Sequence, residues 1–326
     1  SIGERHARCF LATGRAKVSV CDTNDAIRQR LIGQYPLEKT FASLDEALDT
    51  RPDVVVVATP AHLHVAQARV ALAAGSHVLI EKPLSTSEAA LDELEHDAAA
   101  AGRRVGVAYV LRHNPGLAAI KQLAERQEFG PPLELVYVGG QDFPHFRPAY
   151  REIYYRDRAT GGGAIQDALT HYLDAAQWLI GPARSVAADA AHLALAGVTV
   201  EDTVHVVARH AERDRTALAS YSLNQHQAPN ESSLTLVCRD GAIRWESHAS
   251  RYLTMSRGGS GWTPQDYPRQ ERDTGFTAQA AAFLDLVEGK SAVTTTLAEA
   301  RATLRTALAI LEAADTRSWV DIAPVA

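Results

Sequence analysis

Eight residues near position 55 limit the possible folds most. Pro52-Asp53-Val54-Val55-Val56-Val57-Ala58-Thr59 is apolar at successive central positions instead of alternating. Such a strand is covered on both faces, the condition of a parallel sheet between helices. Further strands read at 17–22, 77–81 and 104–110. They alternate with helical patterns at 2–13, 24–34, 44–50, 62–74 and 85–101. Asn24 is placed to cap the second helix and Gly75 to end the fourth. Strands separated by helices of ten or more residues mean βαβ units. Residues 1–112 therefore read as an α/β domain with a doubly wound parallel sheet.

The pattern changes beyond that point. A helix at 115–126 is followed by a strand at 133–139 and a loop at 143–158 rich in aromatic residues and arginine. Gly161-Gly162-Gly163 then opens a helix over 164–180, closed by Gly181-Pro182. From 185 to 253 apolar and polar residues alternate, as in Thr203-Val204-His205-Val206-Val207-Ala208, which predicts an antiparallel sheet. Helices at 278–288 and 297–314 complete a second, α+β domain over 113–326. Residues 257–265, with Gly258, Gly259 and Gly261, read as a mobile loop.

Composition removes several classes. The net charge of −6 argues against a general nucleic-acid binder. No apolar run reaches the ~18 residues of a membrane span. Cys9, Cys21 and Cys238 are odd in number and lack a CxxC spacing. That excludes a disulfide framework and a structural zinc site, and it fits a reducing cytoplasm.

The first unit carries half of a nucleotide motif. Ser1-Ile2-Gly3 opens a helix, and Asp22 ends a strand about 20 residues later, the spacing of a Rossmann dinucleotide fingerprint. On this reading Ser1, Ile2 and Gly3 close a G-x-G-x-x-G turn. The first strand and two glycines are then expected upstream. Asp22 would accept bonds from the adenosine ribose hydroxyls and repel a 2′-phosphate, so NAD is favoured over NADP. The same residues also fit a helix preceded by an ordinary turn.

Three later motifs follow in fixed order. Thr59-Pro60, with His64 behind it, ends one strand, and Glu81-Lys82-Pro83-Leu84 ends the next. Gly161-Gly162-Gly163-Ala164-Ile165-Gln166-Asp167 continues to His171, Trp178-Leu179 and Gly181. The series resembles the Gfo/Idh/MocA oxidoreductases, the family of glucose–fructose oxidoreductase and inositol dehydrogenase, over essentially the whole chain. The resemblance implies a Rossmann domain joined to an α/β domain on a large, mostly antiparallel sheet. It places Thr59, Pro60 and His64 beside the cofactor, Glu81 and Lys82 near the nicotinamide, and Asp167 and His171 on a substrate-domain helix. The family often has glycine two residues after the aspartate. This chain has Leu169, a departure that bears on how closely this helix turn packs.

These residue types suit alcohol oxidation, which removes a hydride and a proton. The nicotinamide takes the hydride and the protein supplies a base. Asp167 and His171 are four apart, so on an α-helix they lie one turn along and ~40° round. Histidine, with an ordinary pKa of ~6.5, suits taking a hydroxyl proton near neutrality. His171 is assigned as acid/base, Lys82 as stabiliser of developing negative charge and possible proton relay, and Asp167 as orienter of the substrate or the histidine. The bland alternatives are a solvated lysine, an exposed Asp–His pair and a packing role for His64. A metal held by Asp167, His171 and a third ligand such as His145 lacks any metal spacing, so none is expected.

Tyr154, Tyr155 and Arg158 in the 143–158 loop, with Arg112 and Asn114 at the domain junction, are the candidate substrate-binding residues. Tyrosine faces suit sugar rings and arginine forks suit carboxylates or phosphates. A solvated basic loop with aromatic anchors is the alternative. Gln225, His226, Gln227 and Asn230 form a polar cluster given no role. The function expected is hydride transfer between NAD and a secondary hydroxyl or carbonyl of a sugar, cyclitol or sugar acid. An NAD-dependent glycoside hydrolase and a non-catalytic NAD-binding regulator are the other readings. A sheet covered by helices on one face needs a cover on the other, so a homodimer or homotetramer through the second domain's sheet is expected. No nucleic-acid or membrane partner is expected.

Overall fold

The computed structural model describes residues 1–212 and 215–325. In chain order the first elements are α1 (Ile2–Ala12), β1 (Val20–Cys21), α2 (Asp25–Gln34), β2 (Thr40–Phe41), α3 (Leu44–Leu48), β3 (Val54–Val57), α4 (His64–Ala73), β4 (His77–Ile80), α5 (Leu91–Ala101) and β5 (Val105–Val107). Then come α6 (Pro115–Glu125), β6 (Pro132–Asp142), α7 (Phe143–Phe146), α8 (Thr170–Ile180), β7 (Ala183–Ala191), β8 (Thr203–Glu212), β9 (Arg215–Asn224) and β10 (His226–Cys238). The chain ends with β11 (Gly241–Glu246), β12 (Arg251–Ser256), β13 (Thr263–Asp266), α9 (Thr274–Val287), α10 (Leu297–Thr316) and β14 (Val320–Asp321). These divide into two compact units. One comprises Ser1–Leu84, Ala89–His113 and Gln270–Leu297, the other Ser85–Glu88, Asn114–Arg269 and Ala298–Ala326.

Every strand pair of the first unit is parallel: β3–β4–β5 in one ladder and β1–β2 in another. Val78, Leu79 and Ile80 of β4 have no solvent exposure, as a doubly covered strand requires. Asn24 caps α2, its side chain accepting from the N–H groups of Ala26 and Ile27. Three readings change. The strand predicted at 17–22 pairs only over Val20–Cys21, because its partner β2 offers two residues. The helix predicted at 85–101 starts at Leu91: Ser85 Oγ accepts from the Ser87 N–H at 3.3 Å and Ala90 is left-handed at φ 58°. Hydroxyl side chains offer the backbone such local bonds in place of a helix. Third, α9 packs into this unit instead of the second. Its Phe283 is fully buried with Phe10, Leu79 and Ala108. Gly106 makes the room, since a Cβ there would meet Thr294 at 2.6 Å and the Phe283 ring at 3.2 Å.

The second unit is built on nine strands in the order β13-β12-β11-β10-β6-β9-β8-β7-β14. Neighbours run antiparallel except β6 and β9, which are parallel from Glu134↔Leu218 to Gly140↔Asn224. One face is buried through Tyr137, Leu234, Leu236 and Trp245. Tyr172 of α8 stacks on Tyr137 with ring centroids 3.8 Å apart, fixing α8 over β6. On the other face Val138, Val207 and Leu218 are 44–50% exposed. A third of the loop predicted at 257–265 is strand: Thr263–Asp266 pairs with β12. The 143–158 segment is anchored by Phe143, Tyr150 and Tyr155, which pack with Leu195, Val198 and Val200. Positions 213–214 of the predicted sheet, and residue 326 of the predicted second domain, lie outside the described residues.

Candidate active site

In the first unit the carboxyl ends of the parallel strands carry the predicted cofactor residues. Ser1 caps α1, its side chain accepting from the Glu4 N–H at 3.2 Å. Ile2 begins the helix. Gly3 lies against the end of β3, where an added Cβ would stand 3.6 Å from Ala58. This is ordinary contact, so close packing does not require glycine here. Asp22 follows β1 and turns back on its own loop, Oδ1 accepting from the Asn24 N–H at 2.8 Å. Thr59 and Pro60 follow β3 and are exposed, and Thr59 Oγ1 donates to Gln67 at 2.8 Å.

Two predicted cofactor residues face inward instead. His64 is 1% exposed, with Nδ1 at 2.9 Å from the Pro83 carbonyl and Nε2 at 2.8 Å from the Thr59 carbonyl. A neutral imidazole donates to one carbonyl; an imidazolium donates to both. Burial pushes its pKa down, and the two carbonyls pull it back up. Glu81 is 4% exposed. Its Oε1 lies 2.7 Å from His6 Nε2, and its Oε2 accepts from the Lys82 N–H at 2.9 Å. Both side chains are buried and bonded within the first unit. Lys82 itself is partly exposed. His6 escaped the sequence reading, because nothing local links residues 75 positions apart.

In the second unit Gly161, Gly162 and Gly163 fold the chain tightly before α8. Gly163 has φ +87°, and a Cβ on it would run into the Glu201 carboxylate. Glu201 holds this turn: Oε1 accepts from the Ile165 N–H at 3.2 Å, and Oε2 accepts from Arg158 Nε at 2.9 Å. The segment Ile165–Leu169 is then a π-helical turn, and α8 starts only at Thr170. A π turn closes i→i+5 bonds and takes more residues per revolution, a feature frequent at functional sites. Asp167 sits in the π turn and His171 in the first turn of α8, so the α-helical offset of ~40° does not describe the pair. Asp167 is 4% exposed and accepts from the Tyr154 hydroxyl at 2.6 Å. His171 is half-buried. Leu169, where the family often has glycine, is fully buried within the π turn.

The candidate substrate residues separate. Tyr154 joins Asp167. Tyr155 is fully buried in the aromatic cluster, and its phenol is pushed up by burial and then by the charges of Asp167, Glu201 and Asp202. The Arg158 guanidinium pairs with Glu201 through Nε at 2.9 Å and with Asp315 through Nη1 at 3.3 Å. Asn114 caps α6, accepting from the N–H groups of Gly116 and Leu117 at 2.9 and 3.2 Å. Arg112 is 5% exposed, in a single turn of the first unit. Among the described residues no group of three or more His, Cys, Asp or Glu side chains is placed to hold a metal ion. Among them, too, no helix is long and apolar enough to cross a membrane.

Residues 1–109 match the model of an oxidoreductase family with an NAD-binding Rossmann fold, and residues 117–244 match the GFO/IDH/MocA C-terminal domain. Together the matches span most of the chain, which belongs to the Gfo/Idh/MocA oxidoreductase family. It is similar to inositol 2-dehydrogenase of Leifsonia xyli subsp. xyli, 34% identical over 174 residues, 52% of this chain and 48% of that protein. It is also similar to an uncharacterized oxidoreductase of Synechocystis sp., 30% identical over 220 residues, 67% of this chain and 58% of that protein. The chain thus spans about half the length of the curated relatives it matches. A solved levoglucosan dehydrogenase in complex with NADH shares the fold with a TM-score of 0.89 at 20% identity, covering 100% of this chain and 97% of that one. The residues present fit a dinucleotide. A capped helix N-terminus, a carboxylate after β1 and exposed Thr59-Pro60 after β3 all stand at strand carboxyl ends, where open α/β sheets bind ligands.

Proposed function

We propose that the chain is an NAD-dependent oxidoreductase. It moves a hydride between the nicotinamide and a secondary hydroxyl or carbonyl of a sugar, cyclitol or sugar acid. The carrying observation is the buried Asp167 carboxylate, bonded by Tyr154 in a π turn directly before half-buried His171. A packing helix has no need of that arrangement. The bound nicotinamide supplies the hydride acceptor or donor. Ser1, Ile2 and Gly3 offer their helix N-terminus to the pyrophosphate. Asp22 receives the ribose hydroxyls and disfavours a 2′-phosphate, so NAD is preferred to NADP. His171 takes the hydroxyl proton, Lys82 stabilises developing negative charge, and Asp167 orients the substrate or the ring.

The test is the full-length protein with NAD, NADP and a panel of polyols and sugars, followed by nicotinamide absorbance. Turnover with NAD is expected, and Lys82→Ala and His171→Ala should each lower kcat/KM by about 10²–10⁴. Full activity in either variant overturns its role. Glycoside cleavage without net NADH, or a stable protein partner without turnover, overturns the reaction class. The exposed Val138, Val207 and Leu218 support pairing through the open face of the sheet as a homodimer or homotetramer. A monomer by light scattering overturns that. Three unpaired thiols suit the cytoplasm.

A further inference from the structure

The turn Glu81-Lys82-Pro83-Leu84 leaves β4 at the strand end, and two histidines from different helices fix it. His6 comes from α1 and binds Glu81 Oε1 through Nε2 at 2.7 Å. Glu81 Oε2 in turn accepts from the backbone N–H of Lys82 at 2.9 Å. His64 opens α4 and reaches the Pro83 carbonyl at 2.9 Å and the Thr59 carbonyl at 2.8 Å. Thus the Glu81–Lys82 peptide is tied to a buried imidazole through a carboxylate, and the Pro83–Leu84 peptide, one residue beyond Lys82, is tied to another directly. His6, Glu81 and His64 are 2%, 4% and 1% exposed, while Lys82 is partly exposed. His6 Nδ1 has no partner among the described residues, so the ring's one hydrogen bond there goes to Glu81.

Packing alone does not call for this chemistry. Three polar side chains are buried around one short turn, and each makes a bond to that turn or to the neighbouring strand end at Thr59. Burying polar groups is costly unless they are hydrogen-bonded, and a satisfied buried network rigidifies the backbone it joins. We propose that His6, through Glu81, and His64 are positioning residues for Lys82. They hold its backbone rigidly enough that the ammonium keeps one place beside the reacting oxygen. The proposal rests on the reading of Lys82 as the amine of the reaction centre. It adds two residues that touch neither cofactor nor substrate.

The experiment is a set of double-mutant cycles on the full-length enzyme. His6→Leu and His64→Leu are made alone and in the Lys82→Ala background. NADH affinity is read by fluorescence, and folding by thermal melting. Each single variant should lower kcat by about 10- to 100-fold. KM and NADH affinity should stay within about threefold, since a positioning defect falls on the transition state. In the Lys82→Ala background the same changes should cost nothing further. Losses that multiply in that background, or that track NADH affinity, overturn the proposal. Should the leucine variants fail to fold, His64→Gln and Glu81→Gln decide it by the same criteria. A separate readout is the acylation rate of Lys82 followed by peptide mass spectrometry. It should shift in the His6 and His64 variants, and an unchanged rate refutes positioning. Wild-type activity in Lys82→Ala alone defeats the catalytic reading of Lys82, and the acylation rate still reports on the clamp.

Discussion

The turn after β4 and the turn before α8 carry the candidate chemistry, and they are built in opposite ways. The first contains no glycine. It is held by one imidazole ring on main-chain carbonyls and by one carboxylate that meets a second imidazole and reaches its neighbour's N–H. The second is a glycine run closed around a carboxylate, Glu201, that is shared between a backbone N–H and a guanidinium. The first borrows its geometry from the ends of regular elements, a strand and two helices. The second makes its geometry from irregular backbone, a left-handed glycine followed by a π turn. Side-chain clamps tolerate loss piecemeal, because each bond can be removed separately. A backbone cradle tolerates little, because a single Cβ fills it.

Gly163→Ala gives the largest contrast. Alanine at φ +87° carries a left-handed penalty of about 1–2 kcal/mol. The new Cβ also displaces the Glu201 carboxylate, whose charged hydrogen bonds are worth about 1.5–3 kcal/mol each. A loss of about 3–4 kcal/mol in urea unfolding is expected, with hydrogen exchange rising across 154–170. A loss below about 1 kcal/mol would mean that the cradle is soft.

Acid separates the two units next. Burial pushes His113 of the first unit down to about 4, helped by Arg112. Burial also pushes His210 of the second down to about 4, against the pull of the Gly181 carbonyl. His64 and His77, both in the first unit, are lowered too, by burial first. A histidine with a depressed folded pKa binds fewer protons folded than unfolded. Its stability is therefore complete above the unfolded value of ~6.5 and is lost as pH falls towards the folded value. Each fully depressed ring contributes a slope of about 1.4 kcal/mol per pH unit in that window. The first unit has three lowered rings among the described residues and the second has one. Hydrogen exchange at pH 7 and pH 5 should show β3–β5 loosening before the nine-stranded sheet. The reverse order would place the acid sensitivity elsewhere.

The same contrast explains what could be read in the sequence. The first unit was legible because its site residues lie at the ends of strands and helices that announce themselves. The Val54–Val57 run, the Asn24 cap and the motif order locate Asp22, Thr59 and Lys82. What stayed hidden was direction: whether Glu81 and His64 point outward or inward depends on partners such as His6, far away in the chain. In the second unit the glycine run was visible but the π turn was not, since an i→i+5 bond has no apolar period to mark it. Neighbouring Tyr154 and Tyr155 were indistinguishable by type. Only packing against Phe143 decides that Tyr155 is core and Tyr154 meets Asp167. Arg158 read as a free fork because Glu201, its partner, lies 43 residues on.

Tyr154→Phe is the smallest change and the sharpest test of the second turn. It deletes one hydroxyl at 2.6 Å from a buried carboxylate and leaves the ring. A hydrogen bond to a charged group contributes about 1.5–3 kcal/mol, so kcat/KM should fall by about 10- to 100-fold if Asp167 must be held for catalysis. Thermal stability should change far less, because Tyr154 is only partly buried and keeps its ring contacts. If instead stability falls and kcat/KM does not, the Tyr154–Asp167 bond only braces the π turn, and the carboxylate's part in the reaction is lost with it. The two turns would then differ in role as well as in construction: Lys82 held for chemistry, Asp167 for structure.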